Sequence, residues 1–339
     1  MIWPAALLLA VLALAIYYPA LRGGLVSDDF ILVGRVGFAD ALSYFHESFG
    51  LGRNEYRPIT ALSFALDNGL WGSYAPGYHL TNLVLHALVA VMACLSLHAL
   101  TRDLQLSSLA AVAVLIHPIN HSRVMWIAAR DATVASVFLM TALWLYVLSR
   151  RDARPRLLLC AVPLSALSVL AYEGAVILPA LFFSVEWIFF SKGPFLRRMT
   201  AALRPTAPFW MVAVLYVAIW QLVFAGQIGA YDLAPDASSV AANFGSLIYT
   251  LFWGHRRFLI GVAYVALIAV CFRALIARAS VVLLAAGFVI ISFLPYSFTE
   301  GFAHRFGYLG ALGFAIFIGT CLAEDYGCQT LSGATALPA

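Results

Sequence analysis

Residues 79–100 read HLTNLVLHALVAVMACLSLHAL, a stretch without a single Asp, Glu, Lys or Arg. At about 1.5 Å per residue, a helix of this length crosses a hydrocarbon core of about 30 Å. Similar continuous runs recur at roughly 2–20, 106–118, 131–149, 157–172, 174–190, 207–226, 258–274, 280–298 and 306–323. They predict an all-α polytopic membrane protein with about ten transmembrane helices. Composition agrees: of 339 residues, 63% are apolar or aromatic and 11% charged, against about 25% charged in an ordinary soluble domain. A soluble globule and a disordered chain are excluded, and a β-barrel would need alternating strands. The net charge of +4 is small and spread over many loops, which argues against nucleic acid as a partner.

The run 2–20 has no basic segment before it and is long for a secretory signal, so it reads as a retained anchor. Orientation follows from RRDARPR at 150–156 and KGPFLRRMTAALR at 192–204, basic loops that belong on the cytoplasmic side. Alternation then puts both termini in the cytoplasm. Divided by side, the 20 Lys+Arg and 16 Asp+Glu fall 11 and 5 inside, 9 and 11 outside, about +6 against −2. Acids and most histidines gather on the outer face, whereas the five cysteines lie toward the inner one, where thiols stay reduced. The transmembrane domain runs over 1–326 and a polar tail over 327–339. Two outer segments are long. That at 22–78 carries FADALSYFHESF and ITALSFALDNGLW, read as interfacial helices. That at 227–257 reads as a loop followed by an interfacial or re-entrant helix.

Chemistry-bearing residues fall at the outer ends of the spans. Asp28 and Asp29, in LVSDDFI, suit a general base beside a group that holds a partner or a metal, and equally suit a helix cap with Ser27. Arg57 precedes Pro58, a first-turn proline, and is either a cation for phosphate or an interfacial anchor. His79, Asn82 and His86 share one face at i, i+3 and i+7. The stretch HPINHSRVMWIAARDA, 117–132, concentrates His117, Asn120, His121, Arg123, Trp126, Arg130 and Asp131 in one outer connection. His117 and His121 have the i, i+4 spacing of metal ligands, but Pro118 interrupts it and no third ligand has a recognisable spacing. A divalent metal is left open, and no cofactor is specified. Arg130, beginning a span, presents a planar fork suited to phosphate. Glu173 sits in a tight outer hairpin, and TEGFAHRFGYL at 299–309 supplies Glu300, His304, Arg305 and Tyr308. Outer arginines need an anionic partner, either lipid headgroups or a bound phosphate.

Taken in order, the acidic pair 28–29, YRP at 56–58, PGYHLTNL at 76–83, HPINHSRVMWIAARD at 117–131, Glu173 before AVILP, and E-x-x-x-H-R-x-x-Y-L at 300–309 form one pattern. It resembles the membrane-embedded GT-C glycosyltransferases, in particular the protein O-mannosyltransferases with tetratricopeptide repeats and their bacterial relatives, over residues 1 to about 323. The resemblance implies transfer of a sugar, with inversion, from a polyprenyl-phosphate carrier to a protein, lipid or glycan acceptor on the outer face of the bilayer. It implies that Asp28 and Asp29 supply the base. Arg130, His304, Arg305 and Arg57 would face the carrier phosphate, while His79, Asn82, His117, His121, Trp126, Asp131, Glu173 and Tyr308 would line the substrate cavity. This chain departs from the pattern in having Tyr172 where relatives often carry lysine, in separating Glu300 from Arg305, and in lacking the repeats. The competing reading is a transporter or lipid flippase, which usually places its charges at the midplane on broken helices of repeated halves.

Overall fold

The computed structural model describes residues 2–49, 55–224, 236–251, 280–299 and 304–325, with isolated positions at 265, 268, 269 and 272. Among the described residues the chain is helical and has no sheet. In chain order the helices are α1 (Ile2–Tyr17), α2 (Asp29–Leu32), α3 (Phe38–Ser43), α4 (Pro58–Trp71), α5 (Ala75–Thr101), α6 (Leu104–Ile116), α7 (His121–Met125), α8 (Asp131–Arg151), α9 (Leu158–Ala171), α10 (Leu178–Val185), α11 (Phe195–Val223), α12 (Ala237–Leu251), α13 (Ser280–Ser297) and α14 (Tyr308–Asp325). Among the described residues, six stretches are long and apolar enough to cross a membrane: Trp3–Arg22, Ala75–Thr101, Ile127–Arg151, Glu173–Phe190, Phe195–Val223 and Ser280–Ser297. Leu104–Ile116, Pro155–Ala171 and Tyr308–Ala323 are shorter apolar helices. The chain is an integral membrane protein. Apart from the isolated positions, the run at 258–274 lies outside the described residues, as does the tail 327–339; of the segment 227–257 the described part is 236–251, which holds α12.

Local chemistry sets the boundaries. Pro58 opens α4, where its missing N–H costs nothing. Asp103 caps α6 by accepting from the Leu106 amide at 2.9 Å. Helices α8 and α9 pack on each other, α5 lies against α8 and α6, and α14 lies against α13 and α6. The bundle interior is filled by Leu, Val, Ala and Phe, with Phe182 and Phe209 stacked and Tyr146 edge-on to both. Helices α1 and α11 turn long apolar faces outward, at Leu7, Leu8, Val11 and at Met211, Val214, Leu222, as lipid-facing helices do.

The long segment 22–78 is built separately. Both of its amphipathic stretches contain helix, at α3 and α4. They enclose a small core of Val33, Val36, Ala41, Ala61, Phe64, Ala65, Tyr78 and Ile127. The Tyr78 hydroxyl accepts from the Gly34 amide at 3.0 Å and donates to the Gly72 carbonyl at 2.9 Å, so the top of α5 clips both ends of this layer. That clip fixes where the acidic pair 28–29 can sit.

Candidate functional site

The connection 117–131 is the floor of the site, and its irregular backbone is held by side chains. His117 ends α6 in extended conformation. Its Nδ1 accepts from the Ile119 amide at 3.3 Å and its Nε2 lies 3.2 Å from the Leu251 carbonyl. Asn120 donates to the Val114 carbonyl at 2.8 Å, and Asn82, about two turns into α5, donates to the Trp126 and Val124 carbonyls at 3.2 and 3.5 Å. A buried irregular backbone would otherwise leave carbonyls unpaired, at about 1–3 kcal/mol each. The segment then turns through Ile127–Arg130, and Asp131 begins α8.

Two charge clusters meet on this floor. In the first, Arg57 sits at the foot of α4 with nearly its whole side chain buried. Its Nε donates to Glu173 at 2.7 Å, and its Nη2 completes a fork on the same carboxylate. Its Nη1 reaches Glu55 at 3.1 Å and Asp131 at 2.9 Å. Asp131 also takes Nη1 of buried Arg123, which in turn donates to the Ala129 carbonyl at 2.9 Å. Both guanidiniums face the ring of Tyr172, at 5.1 Å for Arg57 and 5.5 Å for Arg123, a cation–π arrangement. Burial alone would depress the basicity of Arg57, but the carboxylates of Glu173, Asp131 and Glu55 hold it well above its ordinary value. Arg123 is likewise raised, by Asp131 against burial.

In the second cluster Arg130 is fully buried. Its Nη1 donates to Asp67 at 2.5 Å and its Nη2 to the Tyr78 carbonyl at 3.3 Å. The rings of Phe64 and Tyr78 cover it, with Phe64 centred 4.3 Å away. Thr81 donates to the other oxygen of Asp67 at 2.7 Å.

The acidic pair divides. Asp29 is buried and both its oxygens are taken: Oδ2 accepts from the Val26 amide at 3.0 Å and Oδ1 from the Ala128 amide at 2.7 Å. Burial pushes its carboxyl above the ordinary aspartate value, with the Val26 and Ala128 amides and the neighbouring His79 opposing. Asp28 is half-buried and accepts from the Ser27 hydroxyl at 3.2 Å. His79 lies beneath the pair, and Gly23 lets it approach, since a Cβ there would stand 2.9 Å from Nε2. The Asp29–Ala128 bond joins the loop after α1 to the turn that carries Arg130, so these groups share one end of the bundle.

The remaining expected site residues separate. His121 is exposed at the start of α7. Trp126 is half-buried in extended backbone and hydrogen bonded through its carbonyl. Tyr308 is buried deeper, at the start of α14, with its hydroxyl 2.9 Å from Nδ1 of His86. His304 and Arg305 lie in the turn His304–Gly307 that leads into Tyr308. Their side chains, and Glu300, Arg256 and Arg257, lie outside the described residues. Among the described residues no group of three His, Cys, Asp or Glu could hold a metal. The expected set lacks Glu55, Asp67 and Tyr172, and it gives no role to Arg123, which stands out within the 117–132 stretch. An acid within the apolar run of α4 and an arginine on a buried loop are signals of paired charge; the partner of Arg123, Asp131, lies in the same connection, but that of Asp67, Arg130, is 63 residues away.

The architecture has a solved counterpart. A crystal structure of ArnT from Cupriavidus metallidurans bound to undecaprenyl phosphate superposes with a TM-score of 0.61 over 95% of this chain and 61% of that one, at 15% identity. The protein therefore has the GT-C glycosyltransferase fold. Sequence similarity adds a closer relation: protein O-mannosyl-transferase TMTC3 of Mus musculus is 36% identical over 95 residues, 28% of this chain and 10% of the relative. Protein O-mannosyl-transferase TMTC2 of Mus musculus is 34% identical over 92 residues, 27% of this chain and 11% of the relative. The matched segment thus spans about a tenth of these relatives' length, and the chain is a GT-C-fold protein related to O-mannosyl-transferases. No protein-family model matches it.

Proposed function

We propose that the protein is an inverting glycosyltransferase that moves a sugar from a polyprenyl-phosphate carrier to an acceptor hydroxyl at the outer face. The observation that carries this reading is the convergence of the acidic pair, Arg57 and Arg130 around one turn, joined by the 2.7 Å bond from the Ala128 amide to Asp29. The undecaprenyl phosphate bound by the ArnT structure of the same fold supports a lipid-phosphate donor. Topologically the reading takes ten spans, both termini in the cytoplasm, and the 22–78 layer lying along the outer interface.

The two aspartates then do different work. Asp29, with both oxygens occupied by amides, positions the loop on the 127–130 turn. Asp28 has a carboxylate edge open to a substrate, and acts as the general base. It takes the proton of the acceptor hydroxyl as that oxygen attacks the anomeric carbon from the face opposite the phosphate. The bond from that carbon to the phosphate oxygen breaks, and the polyprenyl phosphate departs with the electron pair. General-base help of this kind is worth about 10²–10⁴ in rate. Arg57, with His304 and Arg305 on the turn before α14, receives the departing phosphate. Arg130, its fork engaged by Asp67 and the Tyr78 carbonyl, contributes its positive field from beneath the site. His79, Asn82 and Trp126 shape the wall between these groups.

Purified protein incubated with a panel of radiolabelled polyprenyl-phosphate sugars should release free lipid phosphate from one of them. Asp28→Asn should lower that turnover by about 10²–10⁴ with thermal unfolding unchanged. Release from no sugar in the panel, or full turnover by Asp28→Asn, would end the proposal.

A further inference from the structure

The fork of Arg57 is already occupied. Its Nε and Nη2 both point at the Glu173 carboxylate, while Nη1 is shared between Asp131 and Glu55. A bidentate carboxylate on a guanidinium edge has the geometry in which two phosphate oxygens bind the same donors. The three carboxylates differ in access. The Glu173 side chain keeps 31% of its surface exposed, against 6% for Asp131 and 12% for Glu55, and Arg57 itself keeps 9%. Of the groups on Arg57, Glu173 is the one able to swing into solvent without leaving a charge buried.

Charge points the same way. Glu55, Asp131 and Glu173 face two guanidiniums, Arg57 and Arg123, so the cluster carries one negative charge in excess. Replacing the Glu173 carboxylate by a sugar-phosphate diester, which carries a single negative charge, leaves that balance unchanged. Once the sugar has left, the lipid phosphate is a monoester whose second ionisation lies near pH 6, so it approaches two negative charges above neutrality. The extra charge is unfavourable beside Asp131 and Glu55. Tyr172, against both guanidiniums, keeps the Arg57 plane aligned whichever anion holds the fork.

We infer that Glu173 is a resident anion on the phosphate-binding edge of Arg57: the donor phosphodiester displaces it, and its return helps expel the lipid monoester product. This rests on the glycosyl-transfer reading given above, and it assigns Glu173 to exchange at the donor site instead of to the acceptor.

The test is binding of two probes to the full chain in detergent micelles at pH 8: dodecyl methyl phosphate as the diester and dodecyl phosphate as the monoester, both measured by calorimetric titration. Removing a competing charge-assisted pair with Glu173→Gln should tighten both probes about tenfold or more, with the larger gain for the monoester. Glu173→Asp keeps the charge on a shorter arm and should give a smaller gain, which separates exchange from a folding defect seen in thermal unfolding. Arg57→Gln should abolish binding of both probes, alone or combined with Glu173→Gln. If Glu173→Gln binds both probes no more tightly than the unmodified chain while Arg57→Gln still loses them, the exchange is wrong and the donor site stands. Should Arg57→Gln bind both probes normally, Arg57 is not the phosphate residue, and exchange falls with that part of the mechanism.

Discussion

Arg57 and Arg130 look alike in the sequence, each an arginine beside the start of a helix, yet the structure puts them in opposite situations. Arg130 is sealed: one carboxylate and one carbonyl hold its two Nη groups, two aromatic rings cover it, its Nε is buried without a hydrogen bond, and Asp67 is itself fixed by Thr81. Arg57 is crowded by three carboxylates, one of them reaching solvent. A sealed pair contributes position and field, because neither member can leave without stranding a buried charge. A crowded arginine with one exposed partner can exchange that partner for a ligand. The difference separates a sealed ion pair from one whose partner reaches solvent, and it rests on the burial of the partner more than on that of the arginine.

The sharpest way to break this contrast is at Asp67. Asp67→Asn strands the Arg130 charge beneath Phe64 and should lower stability by about 3–5 kcal/mol, read from denaturant titration in detergent; a loss below about 1 kcal/mol would mean that Arg130 reaches water and is not sealed. A second, smaller effect is expected at Gly174, which follows Glu173 and packs under Tyr296. A Cβ there would stand 1.8 Å from the Tyr296 hydroxyl oxygen, so Gly174→Ala should cost about 1–3 kcal/mol and shift the carboxylate off Arg57. Unchanged stability together with unchanged probe binding would show that the hairpin is loose. The smallest stability effect belongs to Glu173. Because its carboxylate is partly solvated and Asp131 and Glu55 remain on Arg57, Glu173→Gln should move stability by less than about 1 kcal/mol. A loss of several kcal/mol would make Glu173 as structural as Asp67, and the contrast between the two arginines would vanish.

Much of the frame was legible without coordinates. The stretch at 79–100 announces its helix because hydropathy is a local property and lipid leaves the backbone no alternative to internal hydrogen bonding. Pro58 marks the foot of α4 for a similarly local reason. The acidic pair, Arg57, Asp131 and Glu173 could be singled out because polar groups at the ends of apolar runs are conspicuous. Their grouping could not. His117 illustrates the limit: its spacing to His121 suits a metal, but the chain uses its ring to hold the Ile119 amide and meet the Leu251 carbonyl, leaving His121 at the surface.

What the sequence determined by itself, then, is where the chain enters lipid and which residues are costly to place there. Which charge meets which was decided only in three dimensions. Arg57 and Glu173 are 116 residues apart, Arg130 and Asp67 are 63 apart, and the Asp29–Ala128 bond closes 99. Those pairings depend on how α4, α5, α8 and the 172–174 hairpin pack against one another. The stretches that become helices are specified by local hydropathy and turn chemistry. Direct ion pairing acts over a few ångströms, and the chain reaches those distances only after the helices have packed.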